Sequence, residues 1–389
     1  MAGVITHKVG IIMNGVTGRI GSNQHLMHSI LPIRKQGGVK LSDGEVIMPD
    51  PVLVGRNPWK LEELSKASGI ERWTVNLDDV MSDSNYDIYF DAQTTGLRFG
   101  SVKKAIEAGK NIYCEKPSAS STKEAYELYS FAQKHKIKHG VVQDKLWLPG
   151  ILKLKMLINN GFLGKILSIK GDFGYWVFEG DQYPLQRPSW NYRKEEGGGI
   201  ILDMFPHWCY ILENLFGRVK SVFCLGATFI KKRWDENGKP YDCTADDSAY
   251  AIYELDGGII AQFHSSWINR VRRDDLLTIQ IDGTKGSAVC GLRKCFIQSN
   301  SHTPRPVWNP DVETTKNYYD DWLEVPDNGV YDNAFKIQWE LFLKHIVKNQ
   351  PFQWDLLEGA KGVQLAEKGY ESWKKKSKIN IPQLKPLEL

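Results

Sequence analysis

A chain of 389 residues, 42% hydrophobic and 25% charged, with a mean hydropathy of −0.38, has the make-up of a soluble globular protein and length for more than one core. Its net charge of +4 is spread along the sequence, which excludes the basic stripe that nucleic acid requires, and no run approaches the ~20 apolar residues of a membrane span. Cys114, Cys209, Cys224, Cys243, Cys290 and Cys295 form no C-x-x-C pair and are too sparse for a disulfide scaffold; with no signal-peptide core before Val9–Met13, the expectation is a cytoplasmic protein.

The first apolar run, 8–13, predicts a strand. Asn14-Gly15-Val16-Thr17-Gly18-Arg19-Ile20-Gly21 follows it, then a helical pattern through Leu26, Met27, Ile30 and Leu31. Strand, glycine turn and helix in that order predict a dinucleotide site, because glycines let backbone N–H groups approach a pyrophosphate at the helix N-terminus. Gly15, Thr17, Gly18, Arg19 and Ile20 are its candidate contacts. The stretch 36–51, with Gly37-Gly38, Asp43-Gly44 and two prolines, reads as a polar insertion. Val52-Leu53-Val54 reads as the next strand and 60–68 as a helix.

At the end of that second strand an acid would hold the ribose hydroxyls of NAD. This chain has Gly55-Arg56-Asn57 instead. Gly55 leaves room and Arg56 supplies charge for a 2′-phosphate, which favours NADP; an arginine can equally stack on adenine, so NAD stays open. Further strands are predicted at 87–92, 111–114 and 138–143, with helices at 102–108 and 122–134 between them. This alternation predicts a parallel sheet with helices on both faces.

Beyond about Leu148 the rhythm changes. A helix at 151–159 precedes alternating strands at 166–173, 219–229, 247–255, 258–267 and 276–282. One helix, 200–215, is inserted among them, and a helical stretch, 335–376, closes the chain. The pattern describes a mostly antiparallel sheet. With no later helices left to cover its outer face, that sheet predicts a homodimer or homotetramer built through it.

Two segments carry chemistry. Glu115-Lys116-Pro117 ends a buried strand, at the edge where ligand crevices form. Far downstream, Gly197-Gly198-Gly199 opens a helix bearing Asp203 and His207. Removing a hydroxyl proton as a hydride departs suits a histidine, and a lysine ammonium can polarise the same oxygen. Asp203 and His207 share one helix face, where the carboxylate is expected to fix the imidazole tautomer. Pro206 implies that the helix has barely begun there or is bent. His25/His28 and His135/His139 lack the further ligands of a zinc site, so no metal is expected. Asp246-Asp247 reads as a turn or cap.

These motifs together resemble the glucose–fructose oxidoreductase / inositol dehydrogenase (Gfo/Idh/MocA) family along essentially the whole chain. The resemblance implies an N-terminal Rossmann dinucleotide-binding domain, 1–148, and a C-terminal α/β domain, 149–389, with a large open sheet for substrate and association. It implies NAD(P), a catalytic group of Lys116, Asp203 and His207, and a cis Lys116–Pro117 bond. Gln93 and Thr94, Glu115, Lys116 and Gln143 would line the cofactor beside Arg56. Where the family commonly has glycine two residues after the aspartate and an aspartate three after the histidine, this chain has Phe205 and Tyr210.

Lys145, Tyr175, Trp176, Trp190, Arg193 and His207 are the candidate substrate contacts: aromatic faces for sugar C–H groups and polar groups for hydroxyls. The function expected is hydride transfer between a nicotinamide and a hydroxyl-bearing carbon of a sugar, sugar derivative or cyclitol, with the arginines and Lys145 leaving an anionic sugar open. An oxidoreductive glycosidase and a non-catalytic sugar- or cofactor-sensing protein are the alternatives.

Overall fold

The computed structural model describes residues 4–306 and 308–387. β1 (Ile5–Asn14) starts exposed and is wholly buried from Val9 onward. It delivers the chain to the glycine turn and a helix over Ile20–Ile30. That helix is π-wound, with the backbone N–H of Leu31 donating to the carbonyl of Leu26, five residues back; it buries Gly21, His25, Leu26, Ser29 and Ile30. It continues as α1 (Leu31–Lys35).

The stretch read as a polar insertion is a β-hairpin. β2 (Val39–Ser42) pairs antiparallel with β3 (Glu45–Val54), which runs parallel to β1 over all ten of its residues. Pro49 and Pro51 lie within β3, two apart, so their missing N–H groups share one side. Between Ile47, which pairs with β2, and Leu53, which pairs with Trp73, no strand among the described residues pairs with that side, so the prolines sacrifice no ladder bond.

α2 (Pro58–Ser68), β4 (Trp73–Thr74), α3 (Asp78–Met81), β5 (Ile88–Asp91), α4 (Thr95–Glu107), β6 (Asn111–Cys114), α5 (Thr122–Lys134) and β7 (His139–Val141) complete this half. The sheet order is β2-β3-β1-β5-β6-β7, with β4 also on β3. The order reverses between β1 and β5, and ligands of such sheets bind at the C-terminal ends of the strands beside that switch.

α6 (Pro149–Asn159) leads to β8 (Ile166–Gly174); α7 (Ile200–Leu215), β9 (Val219–Ala227) and a small hairpin of β10 (Lys232–Trp234) and β11 (Pro240–Asp242) follow. β12 (Ser248–Leu255), β13 (Ile260–Ser266), β14 (Leu277–Gly283), β15 (Gly286–Cys290), β16 (Cys295–Ser299), β17 (Leu323–Glu324) and, at the end of the chain, β18 (Ile379–Asn380) complete a nine-stranded sheet of order β17-β16-β15-β14-β8-β13-β12-β9-β18. Every pairing is antiparallel except β13 with β8. The fold is therefore the expected Rossmann sheet joined to a mostly antiparallel one.

The closing helical stretch is two helices, α8 (Ala334–Lys348) and α9 (Leu356–Lys375), parted at Gln350-Pro351. Trp339, Phe342 and Leu343 of α8 share a core with Val9, Ile11 and Met13 of β1. Leu356, Leu357, Ala360 and Val363 of α9 join the core on the other side of the first sheet. Burial of this size is worth about 3–5 kcal/mol per large aromatic, so Trp339→Ala would loosen α8 from β1.

Candidate functional site

β6 ends at Cys114 and hands over to Glu115-Lys116-Pro117, whose Lys116–Pro117 bond is cis as the resemblance implied. Glu115 is buried, and its two oxygens are fixed separately. Oε2 accepts from the Lys116 N–H at 3.0 Å; Oε1 lies 2.7 Å from His25 Nε2. Trp339 Nε1 donates to His25 Nδ1 at 2.9 Å, so the proton of this neutral imidazole sits on Nε2 and is donated to Glu115. Burial works against the Glu115 anion, but His25 and Lys116 outweigh it and hold the carboxyl below its ordinary value. The helix after the glycine turn, the strand carrying Lys116 and α8 are thereby tied together.

α7 begins at Gly199, whose φ is +119° and whose added Cβ would stand 2.5 Å from Asp246 Oδ1, so glycine is required there. Asp246 caps the helix from afar: its Oδ2 accepts from the Ile201 N–H at 2.7 Å and its carbonyl from that of Ile200 at 3.0 Å. Pro206 sits inside α7, which runs unbroken from Ile200 to Leu215, and Gly362 of α9 lies against the proline ring.

One correction concerns α7. Asp203 does not orient His207. Its Oδ1 accepts from Lys116 Nζ at 2.6 Å and its Oδ2 from Arg187 Nη2 at 2.9 Å. Burial would raise the Asp203 pKa, yet the charges of Lys116 and Arg187 hold it well below the carboxylate range. His207, one turn along, is flanked instead by Lys145 Nζ, 3.1 Å from Nε2, and by Tyr210 Oη, 2.6 Å from Nδ1. Burial, with Lys145 and Lys116 close by, pushes its pKa well below the ordinary histidine value. Burial also lowers that of Lys145, with Lys116 adding to the effect against Asp144.

Arg187, which is not among the candidate substrate contacts, lies over the ring of Trp267 at 4.3 Å. It also donates to Asn191 Oδ1 at 2.9 Å and reaches Tyr175 Oη at 3.4 Å. Tyr175 is thus beside the cluster of Lys116, Asp203, Lys145 and His207. Trp176 and Arg193 have other neighbours: Arg270 stacks on Trp176 at 3.9 Å, and Arg193 lies over Tyr241 and donates to Ser189 and Glu196. Trp190 is half-buried in the short turn Ser189–Tyr192.

At the switch between β1 and β5, Gly15 takes a φ of +76° with the Ala92–Gln93 peptide 2.7 Å from where a Cβ would be, and Gly21 packs as closely on the Gly15 carbonyl. Gly18 and Arg19 are exposed, Thr17 and Ile20 half-buried. Thr17 packs on Gly55, and Arg56 projects into solvent beyond it. Gln93 Oε1 and Gln143 Oε1 are buried acceptors without partners among the described residues, while Thr94 is exposed at the start of α4. Close-packed glycines at the switch point and unpartnered amide oxygens beside Lys116's strand are what a nicotinamide dinucleotide needs: N–H groups at its pyrophosphate and acceptors for its carboxamide.

The family model described as the oxidoreductase family, NAD-binding Rossmann fold, matches residues 50–142, and that of the GFO/IDH/MocA C-terminal domain matches residues 151–289. A D-xylose dehydrogenase from Paenarthrobacter nicotinovorans is 52% identical over 383 residues, 97% of this chain and 99% of its own. The chain belongs to the GFO/IDH/MocA oxidoreductase family. A levoglucosan dehydrogenase from Pseudarthrobacter phenanthrenivorans is 24% identical over 358 residues, 86% of this chain and 90% of its own. A levoglucosan dehydrogenase structure in complex with NADH and levoglucosan shares the fold, with a TM-score of 0.78 at 22% identity, over 97% of this chain and all of that one. Membership of the GFO/IDH/MocA family makes the protein a nicotinamide-dependent oxidoreductase. Among the described residues no helix is long and apolar enough to cross a membrane.

Proposed function

We propose that the chain is an NAD(P)-dependent dehydrogenase of a neutral monosaccharide, D-xylose being the substrate its full-length likeness favours. The observation that carries this reading is 52% identity to a D-xylose dehydrogenase along nearly the whole of both chains. The cleft supports it chemically. Each cation there already faces a carboxylate: Lys116 and Arg187 share Asp203, and Lys145 Nζ lies 3.6 Å from Asp144. With Glu115 beside Lys116 the cleft holds three carboxylates for three cations, which suits an uncharged polyol better than an anionic sugar.

A nicotinamide dinucleotide held at the glycine turn would supply the hydride acceptor. Lys116, held by Asp203, donates a hydrogen bond to the reacting oxygen and stabilises its developing negative charge. Nδ1 of His207 is engaged by Tyr210, so Nε2 is the nitrogen that takes the hydroxyl proton, with Lys145 moving aside as the hydroxyl enters. Arg187, Asn191 and Tyr175 offer hydrogen bonds to the remaining hydroxyls. Gly15, Thr17, Gly18, Arg19 and Ile20 would hold the pyrophosphate, and Arg56 would favour the 2′-phosphate of NADP.

The free thiols of all six cysteines suit a reducing, cytoplasmic setting. The face of the large sheet turned away from α7 and α9 exposes Leu225, Tyr250, Ile252 and Ile260, each at 45–48%, and burying it between copies would give the dimer or tetramer.

The test is turnover with D-xylose, D-glucose, a uronate and an aryl xyloside, each with NAD+ and NADP+ separately. D-Xylose should yield reduced nicotinamide most efficiently. Turnover confined to the uronate, or aglycone release without net cofactor reduction, would contradict the reading.

A further inference from the structure

Tyr210 Oη is a three-way junction whose polarity can be deduced atom by atom. It lies 3.2 Å from the backbone N of Lys145, 2.6 Å from His207 Nδ1 and 3.3 Å from Asp144 Oδ1. The backbone N–H can only donate, and an ionised Asp144 can only accept. A phenol has two lone pairs and one proton. Lys145 Nζ, an ammonium that can only donate, lies 3.1 Å from His207 Nε2, which makes Nε2 the acceptor and puts the imidazole proton on Nδ1. Tyr210 then accepts from His207 Nδ1 and from the Lys145 N–H, and its own proton goes to Asp144.

This is the orientation that Asp203 was expected to enforce, supplied instead from the segment joining the two sheets. Tyr210 takes the His207 contact and passes it on to Asp144. Burial, reinforced by the Asp144 charge, keeps the phenol pKa well above its ordinary value, so Tyr210 remains a donor.

We propose that Tyr210 and Asp144 are positioning residues that set the tautomer of His207 and carry the substrate's proton away from it. This rests on His207 being the base. The step balances as follows. The hydroxyl proton moves to His207 Nε2, the Nδ1 proton moves to Tyr210 Oη, and the Tyr210 proton moves to Asp144 Oδ1. The hydride leaves with its electron pair to the nicotinamide, and the C–O bond becomes a carbonyl. His207 ends neutral in its other tautomer, Tyr210 ends protonated, and Asp144 ends as a carboxylic acid. Lys145 and Lys116 face the imidazole as cations, with Asp203, Arg187 and Glu115 just beyond, and His207 is almost completely enclosed. A proton resting on it would be unfavourable. Asp144, whose side chain is 13% exposed, lies nearer to solvent and can release it.

The experiment compares Tyr210→Phe, Asp144→Asn, the double variant and His207→Ala for kcat, NAD+ KM and solvent deuterium isotope effect on hydride transfer. Tyr210→Phe and Asp144→Asn should each lower kcat roughly 10- to 100-fold, with NAD+ KM changed less than about twofold. The double variant should be no slower than the worse single one, because both break the same line. The isotope effect should shrink in Tyr210→Phe as fewer protons move together. Multiplying effects in the double variant, or an unchanged kcat in Tyr210→Phe, would overturn the relay while leaving His207 as base. Retained turnover in His207→Ala would instead remove the base assignment on which the relay rests.

Discussion

Replacing Asp203 by asparagine keeps the shape of the side chain and deletes its charge. The carboxylate receives two charge-assisted bonds, from Lys116 Nζ at 2.6 Å and Arg187 Nη2 at 2.9 Å. Such bonds are worth about 1.5–3 kcal/mol each. Asparagine can still accept from Lys116 as a neutral oxygen, but its NH2 then opposes the Arg187 donor, so one bond weakens and the other is lost. With Asp203 27% exposed and Lys116 17%, a net loss of about 2–3 kcal/mol is expected, read as a lower urea midpoint at unchanged slope. The sign with pH follows from the depressed carboxyl. Its contribution is complete above the unfolded value of about 3.9 and is lost only as pH falls toward the lower folded one. The gap between wild type and variant should therefore stay constant from pH 8 to pH 5 and close only in stronger acid. Turnover should fall as well, by less than in Lys116→Ala, since the lysine remains but is less firmly held. Equal urea midpoints at pH 7, or a gap closing between pH 8 and pH 6, would refute the assignment of Asp203 to Lys116 and Arg187.

His207 is pushed below its ordinary value, and it must be neutral to accept a proton, so activity should persist below about pH 6.5 and fall only in more acidic buffer; a pH–kcat profile with its acid limb above that value would contradict this. Arg56→Ala should raise KM for NADP+ on the order of tenfold, with little change for NAD+, and equal effects on both would assign Arg56 to adenine stacking. Tyr250→Arg with Ile252→Arg places charge on the exposed sheet face and should lower the oligomeric state in light scattering; a wild type already monomeric at micromolar concentration would remove the basis of this prediction.

The parts of the molecule that are local in sequence were legible in it. The glycine turn, the strand ending at Lys116 and the glycine-opened helix of Asp203 and His207 each depend on neighbours a few residues away, and the alternation of 2- and 3.6-residue periods marked the two sheets. What was hidden depends on tertiary pairing. Pro49 and Pro51 disguised β3, because a proline is a breaker only where its N–H would have had a partner. The 3.6-residue template approximated a π-wound helix without showing that His25 faces Glu115. Spacing placed Asp203 and His207 on one helix face but could not say that Arg187 and Lys116 would claim the first and Tyr210 the second. For Tyr210 there was a signal: a phenol where a carboxylate is common. Arg187 stood out only as one of several arginines, because its role comes from a loop laid across Trp267.

The central claim is that Lys116 and His207 together handle the reacting oxygen and its proton. Single-turnover hydride transfer from D-xylose, measured beside cofactor binding for Lys116→Ala and His207→Ala, tests it most directly. Both variants should slow hydride transfer roughly 10²- to 10⁴-fold while binding NAD+ nearly as the wild type does, because the pyrophosphate contacts proposed above belong to the turn from Gly15 to Gly21. Near-normal transfer in His207→Ala alongside its abolition in Lys116→Ala would contradict the account and make Lys116 the base.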